Sequence, residues 1–325
     1  MVSTHKLPLV SVVVLNWNRK RFVDPFMDSI ALQTYPKDHL EVLFTDNASS
    51  DGSVEYIKKK YGDLPYLKVV ENDKNYGYSK GNNLGIHRAS GDYVLVCNND
   101  LELEKNLIKE LVAAASKNKA AATVAKLVYA NRAGYINNAG SRLEPNSDWP
   151  IYEDGKDEKD TGQYEQIREI TAFCGACVLF SREFLHHVGL FDNKFFMYFE
   201  DGDLSWRGQK AGYKFYYAPK AVAYHEHTGT TKEGSSLFNH FVGRNRLLIL
   251  TKNAAFKVLA KAWAKTLRDH LLLRLKHLYL ALFRKYPRRQ ALREFTLSQK
   301  MIWAAVLMTP YALGKRYRII KEDRL

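Results

Sequence analysis

The chain has 325 residues, 46% hydrophobic and 26% charged, which places it among globular proteins and excludes a disordered chain or a fibre. At about 100–200 residues per domain it holds roughly two domains, and no repeat of about 20–50 residues is present, which excludes solenoids and propellers. Its 49 Lys+Arg against 35 Asp+Glu give a net charge of +14, and residues 252–325 alone hold 18 Lys/Arg and 4 Asp/Glu, so the entire surplus lies in the tail.

Residues 9–15 (LVSVVVL) form a continuous β-branched run, the pattern of a strand buried on both faces. Residues 18–34 can form a helix, ended by Tyr35-Pro36. A second strand is expected at 41–45, followed by the polar cluster 46–53, which supplies turn and cap chemistry for a helix at 54–60. A strand at 66–70, a helix at 79–89, a strand at 93–97 and a helix at 103–117 complete four strand–helix repeats. Short connections between alternating strands and helices predict an α/β fold with a doubly wound, mostly parallel sheet. Ligands of such sheets bind beyond the carboxyl ends of the strands, where the polar clusters after strands one, two and four fall. Residues 134–166 read as a loop-rich excursion with an acidic patch at 153–160. A strand is expected at 170–180, a short helix at 204–211 and two more strands at 214–217 and 221–224, leading to His225.

Three cysteines, Cys97, Cys174 and Cys177, are too few for a disulfide scaffold and favour a reducing compartment. Cys174 and Cys177 have the spacing of half a zinc site, but no second pair matches it, and within the apolar run 172–180 they read as small hydrophobes. The first residues show no charged segment followed by a long apolar one, so no secretory signal is expected, and no apolar run is long enough for a spanning helix.

Asp46, Asp51, Asp100 and Glu102 arrive at one sheet edge from two strands, and Glu200, Asp201 and Asp203 follow a later apolar segment. Carboxylates gathered without matching cations suit a hard divalent ion, Mg²⁺ or Mn²⁺, able to bridge a diphosphate, and His225 is a borderline ligand for Mn²⁺. Helix capping competes with that reading, most strongly at Asp51. Gly77, Gly81 and Gly85 are spaced by three residues each, which is not a dinucleotide fingerprint, and no P-loop motif occurs. The glycines leave two readings open, backbone approach to a nucleotide or plain helix capping.

The string from Val10 to Asn18 (VSVVVLNWN), Thr45-Asp46-Asn47 through Asp51, the Asn75–Gly85 glycine segment and Cys97-Asn98-Asn99-Asp100 together resemble family 2 glycosyltransferases. So do Gly175-Ala176-Cys177, the run from Phe195 to Arg207 containing Glu200-Asp201-Gly202-Asp203, His225 and Arg244-Asn245-Arg246. The combination is similar to the rhamnosyltransferase-type branch and covers roughly residues 8–250. The resemblance implies a GT-A fold, a nucleotide-diphosphate sugar donor, a divalent metal and inversion at the anomeric carbon. It implies that Asp46 meets the base or ribose, with Leu15 and Asn16 forming the other wall. Asn82, standing where many members carry Arg, and Asn99 would also face the donor. Asp100, last in a DxD-type motif whose first position is Asn98 here, and His225 would hold the metal. Asp201 lands on the catalytic base with Glu200 beside it, and two adjacent carboxylates disfavour joint ionisation, so one has a raised pKa. Trp206 and Arg207 read as fasteners of the helix to the sheet.

In the tail, Trp263, Leu267, Leu271, Leu275, Leu278 and Leu282 fall on one helical face over 257–283, with Lys257, Lys261, Lys265, Arg268 and Lys276 around it. The basic run 284–289 interrupts this pattern, and 301–314 is a second apolar piece. Basic amphipathic helices of this kind suit an anionic membrane surface, with plain packing as the alternative; nucleic acid is not expected, for no reading motif is present. The expectation is therefore a glycosyltransferase domain over 1–250 with a basic helical tail over 251–325, cytoplasmic and peripheral on the inner face of the membrane. It would move a sugar, rhamnose from dTDP-rhamnose by the branch resemblance, to a saccharide acceptor that is lipid-linked. The rivals are a sugar nucleotidyltransferase, which would want a Gly-rich basic loop after the first strand, and a non-catalytic binding module of the same fold.

Overall fold

The computed structural model describes residues 7–226, 234–282 and 288–322, which divide into two compact units, 1–143 with 151–227 and 144–150 with 228–325. The sequence reading closes the first domain at residue 250; by this division 228–250 belongs to the second unit.

The first unit opens with β1 (Val10–Asn16), α1 (Val23–Ala31), β2 (Leu40–Asp46), α2 (Ser53–Tyr61), β3 (Leu67–Glu71), α3 (Gly77–Ile86) and β4 (Tyr93–Asn98). β1 lies between β2 and β4, β3 lies outside β2, and all three pairings are parallel. The β-branched run works as its pattern predicts: Val10, Val12, Val13 and Val14 are fully buried, packed by helices on both faces. α1 is shorter than the expected 18–34 because side chains of the loop after β2 take over the backbone there. Ser49 Oγ accepts from Asn18 N at 2.8 Å, Asp51 Oδ2 accepts from Lys20 N at 2.8 Å, and Asn18 turns into the left-handed region at φ 51°.

Next come β5 (Leu101–Leu103), α4 (Leu107–Asn118), β6 (Ala122–Tyr129), β7 (Ile136–Asn138), β8 (Ser141–Leu143), β9 (Ile151–Glu153), β10 (Arg168–Ile170) and β11 (Cys177–Ser181). α5 (Arg182–Val188), α6 (Glu200–Lys210) and β12 (Phe215–His225) complete the unit. The large sheet runs β10-β12-β6-β11-β4-β1-β2-β3, with β5 paired to β12 and β7 to β6. It is mixed: β11 is antiparallel to both β4 and β6, while β6 and β12 are parallel. The expected strand 170–180 is two strands, β10 and β11, separated by an excursion at 171–176. The two strands expected at 214–217 and 221–224 are one, β12, irregular between Ala218 and Val222, where Pro219 has no N–H to give the ladder. β6 falls where the sequence pattern gives no element. Its middle residue Lys126 is 4% exposed, and its ammonium is neutralised by Asp160 at 2.6 Å and Glu165 at 2.7 Å.

The second unit holds α7 (Ser236–Asn253), α8 (Phe256–Leu282) and α9 (Arg288–Glu322). Arg246 donates to Thr266 Oγ1 at 2.6 Å and to the Asp148 carbonyl at 3.0 Å, tying α7 to α8 and to the 144–150 segment. Gly243 on α7 lets α9 approach closely, since a Cβ there would meet Met301 at 3.2 Å. Among the described residues no helix is long and apolar enough to cross a membrane.

Candidate active site

The carboxyl ends of β1, β2 and β4 meet in one hydrogen-bonded array. Register places Asn16 opposite Asp46, and Leu15 opposite Asn98. Asn16 donates through Nδ2 to Asp46 Oδ2 at 2.8 Å and accepts at Oδ1 from Asn99 Nδ2 at 2.7 Å. Asp46 is 1% exposed and takes two further donors, the Ser49 N–H and hydroxyl, each at 2.7 Å. Both hydroxyl and amide side-chain donors fall on Oδ2, so Oδ1, which accepts only from the Ser49 N–H, keeps acceptor capacity. Leu15 is half-buried beside Gly81.

β5 runs antiparallel to the end of β12, with Leu101 opposite His225, and this brings Asp100 to the imidazole. His225 Nε2 stands 3.2 Å from Asp100 Oδ1, yet that oxygen is buried and has no aligned hydrogen bond. The other ring nitrogen, Nδ1, lies 2.8 Å from Asn137 Oδ1. An Nδ1–H donated to that amide oxygen leaves the Nε2 lone pair aimed at the Asp100 carboxylate. A buried carboxylate oxygen lacking a donor, beside an oriented imidazole nitrogen, fits a divalent cation that brings the rest of its shell from a ligand. Among the described residues no cluster of three or more His, Cys, Asp or Glu is present.

The second constellation is the start of α6. Phe196, Tyr198 and Phe199 all have left-handed φ, at 66°, 68° and 66°, so a strained backbone delivers Glu200 and Asp201 into the fold. Asp201 accepts from Gly175 N at 3.0 Å and from Gly202 N at 2.7 Å. Glu200 is 6% exposed, and its Oε2 is buried without a partner. Burial, reinforced by the Asp201 charge, pushes the Glu200 carboxyl well above its ordinary range. Burial also raises Asp201, against the pull of its two backbone donors. The donors make Asp201 the better home for the negative charge and Glu200 the better home for a proton. The 171–176 excursion joins this pair to the first array, because Ala176 O accepts from Asn98 N at 2.9 Å.

The structure thus gathers Leu15, Asn16, Asp46, Asn99, Asp100 and His225 along the strand ends, and fastens the loop under Asp201 to the same β4 terminus. Asn82 is fully buried in α3, with Nδ2 spent on the Tyr78 carbonyl of its own helix at 3.0 Å and Oδ1 buried without a hydrogen-bond partner. Asp51 is a turn and cap residue, accepting from Lys20 N and Ser53 N. Asp203 pairs with Arg207 at 3.0 Å, and Arg207 also donates to the Val188 and Leu190 carbonyls, each at 2.6 Å, so it fastens α6 to the end of α5 and the loop after it rather than to the sheet. Glu102 is exposed on β5. The glycine segment packs helix on sheet. A Cβ at Gly81 would lie 2.7 Å from Leu15 Cδ1, and one at Gly85 would lie 2.6 Å from Val13 Cγ1. Cys97 and Cys177 are buried neighbours across β4 and β11, Sγ to Sγ 3.9 Å. The sequence reading misses Asn137, which lies in the stretch taken for loop, and the Gly175 N–H, since a backbone donor carries no side-chain signal.

The family model described as Glycosyl transferase family 2 matches residues 11–189. Over 308 residues the chain is 24% identical to the N-acetylglucosaminyl-diphospho-decaprenol L-rhamnosyltransferase of Mycobacterium tuberculosis, covering 88% of this chain and 97% of that one. Two solved structures share the fold. The mannosyltransferase PcManGT from Pyrobaculum calidifontis, in complex with GDP-Man and Mn²⁺, superposes with TM-score 0.56 at 19% identity, over 94% of this chain and 88% of that one. GalNAc-T7 with UDP, GalNAc and Mn²⁺ gives TM-score 0.60 at 20% identity over 76% of this chain, which spans about half (48%) of that one.

Proposed function

The chain belongs to glycosyl transferase family 2, and from that premise we propose that it is an inverting, metal-dependent GT-A glycosyltransferase whose base is Asp201. The observation that carries this reading is the link from Asp201 through the Gly175–Ala176 backbone to Asn98, which ties a carboxylate of raised pKa to the turn bearing Asp100. Asp100 and His225 would hold Mg²⁺ or Mn²⁺, which when bound offsets charge on the donor diphosphate. Asn137 orients His225 for that task. Asn16, Asp46 and Asn99, with the wall at Leu15, form the pre-built face for the nucleoside. Asp201 accepts the proton of an acceptor hydroxyl as its oxygen attacks the anomeric carbon on the face opposite the leaving diphosphate. Glu200, holding its own proton, keeps the pair at one negative charge.

The donor is dTDP-rhamnose and the acceptor a lipid-linked saccharide in cell-surface polysaccharide assembly. The support is a relative, similar along nearly its whole length, whose name specifies rhamnosyl transfer to a diphospho-decaprenol-linked sugar. The enzyme works at the cytoplasmic membrane surface, held there by its basic tail, with the catalytic domain over 1–250 and the tail over 251–325. A thermal-shift series with dTDP, UDP and GDP, each with and without Mn²⁺, tests the donor site, since a ligand of the folded state raises the melting temperature by mass action. The expected result is a shift with dTDP that grows with Mn²⁺ and loses that increment in Asp100→Ala. No shift with any diphosphate would overturn the reading and favour a binding module without turnover.

A further inference from the structure

α8 and α9 wear their large apolar side chains outward. On α8, the inward row is Val258, Leu259, Ala262 and Thr266, all buried. Leu267, Leu271, Leu275 and Tyr279, spaced by four residues each, point away from that row and are 51%, 54%, 54% and 53% exposed. The sequence pattern counts Trp263 with these leucines, but it is half-buried, and Leu278 and Leu282 lie outside the residues whose side chains are described. Packing is therefore done by a different row, and the leucine row is not needed for it. α9 repeats the inversion with smaller residues inside. Ala305 and Ala312 are buried, whereas Trp303 and Leu307 are 61% and 75% exposed, with Val306 and Leu313 on the same face. The two helices touch where His270 meets Ser298 at 2.6 Å and Gln299 at 3.0 Å, so both exposed rows belong to one packed hairpin.

We infer that this hairpin is a lipid-binding surface that lies in the plane of an anionic bilayer, with the leucine row of α8 and the Trp303–Leu307 face of α9 inserted below the headgroups. The inference rests on the proposed membrane site of action and names the residues that create it. Charge selects the occupant. Lys257, Lys261, Lys265 and Arg268 follow one another at spacings of 4, 4 and 3 beside the leucines, all exposed. Residues 252–325 carry 18 cations against 4 anions, so a second copy of the chain would meet like charge with like, whereas anionic headgroups complement it. No described helix can span the bilayer, which leaves the in-plane orientation that amphipathic helices with flanking lysines adopt.

The experiment uses the full chain with vesicles of phosphatidylcholine alone or with about 30% phosphatidylglycerol, read by co-sedimentation and tryptophan emission. Expected are binding to the anionic vesicles only, a loss of about tenfold or more between about 0.05 M and 0.5 M NaCl, and a blue shift that Trp303→Phe removes. The triple variant L271S/L275S/L307S should lose about tenfold in vesicle affinity at an unchanged melting temperature. Equal binding to both vesicle types, wild-type binding by the serine variant, or a dimer that the serine variant dissolves while vesicles capture nothing would each overturn the inference. Transfer to a short-chain, water-soluble acceptor should be unaffected in the triple variant. If that transfer persists while vesicle binding is absent, the lipid surface fails and the transferase reading stands; if vesicles bind and no transfer occurs, the reverse holds.

Discussion

Replacing Asp201 by Asn and Glu200 by Gln should separate two carboxylates that are adjacent in sequence. Asp201 holds two backbone donors, at 3.0 Å and 2.7 Å, that fix its orientation. Asn at 201 keeps the size of the side chain but cannot take the acceptor proton. A positioned general base contributes about 10²–10⁴ in rate, equivalent to about 3–5 kcal/mol at 1.36 kcal/mol per decade. D201N should therefore lower kcat by about 10³. Glu200 is in the opposite position: buried, with one oxygen unpartnered, and pushed well above its ordinary range. It is neutral when the pair carries one charge, so E200Q reproduces its working state and should hold kcat within about threefold. The pH profile gives an independent reading. A base works deprotonated, and both carboxyls are raised, so kcat/KM should rise with pH through a value above the ordinary Asp range. Because a glutamine at 200 removes any anionic repulsion, E200Q should leave that limb in place or move it to lower pH. The assay is nucleoside diphosphate release with donor and acceptor, with far-UV circular dichroism to confirm folding. Wild-type turnover in D201N, loss of turnover in E200Q equal to that in D201N, or an upward shift of the acid limb in E200Q would refute the assignment.

Three further outcomes follow from other contacts. Asn137→Ala removes the acceptor that fixes the His225 ring and should raise the Mn²⁺ concentration for half-maximal thermal shift with diphosphate by about tenfold; an unchanged metal titration would refute the orienting role. Burial alone would raise the Glu41 carboxyl, but hydrogen bonds from Ser11, Ser90 and Lys68 pull it from 4.5 down to about 2. A depressed carboxylate stabilises the fold fully above its unfolded value, and that contribution is lost as pH falls from 4.5 through about 2. At about 1.4 kcal/mol per pH unit the effect is about 3 kcal/mol, so E41Q should be less stable by about 2–3 kcal/mol in urea at neutral pH, with the gap closing across that window. Gly81→Ala forces a Cβ to within 2.7 Å of Leu15 and 2.8 Å of Asn47, and should cost about 1–3 kcal/mol by calorimetry. Gly314→Ala, with nothing within 4 Å, should be neutral or stabilising.

The half of the sheet that could be read in advance is the half whose strands are buried on both faces by helices. There, burial demands runs such as VSVVVL and EVLFT, and the short polar clusters after them mark the carboxyl edge. β6 obeys different physics. Its buried positions mix Ala122, Thr123, Val124, Ala125 and Leu127 with a lysine, and Lys126 is neutralised inside by Asp160 and Glu165, which lie 34 and 39 residues downstream. No local window contains that pairing. β5 is hidden for a similar reason: three residues with the pattern of a helix entry become a strand because β12 arrives to pair with them. The reversed strand β11 is apolar enough to be found, but its direction depends on the excursion at 171–176.

That excursion also explains why the site was legible only as a set of side chains. Asp46, Asp100, Glu200, Asp201 and His225 announce themselves as polar residues at the ends of apolar runs. What assigns them roles comes from elsewhere in the chain. The Gly175 N–H tells Asp201 from Glu200, the Asn137 amide oxygen sits against Nδ1 of His225, and the Ser49 hydroxyl and Asn16 amide both donate to one oxygen of Asp46. Gly175 bears its close neighbour at a distance any side chain would violate, 2.8 Å from a built Cβ to the Tyr78 hydroxyl, which itself donates to the Gly175 carbonyl at 2.6 Å. The glycine is thus required by Tyr78 packing on one side and serves Asp201 from the other. A substitution there would act first on the position of the base. G175A should accordingly lower kcat more than it raises the donor KM, whereas equal loss in both would mean that the loop supports the nucleoside face instead.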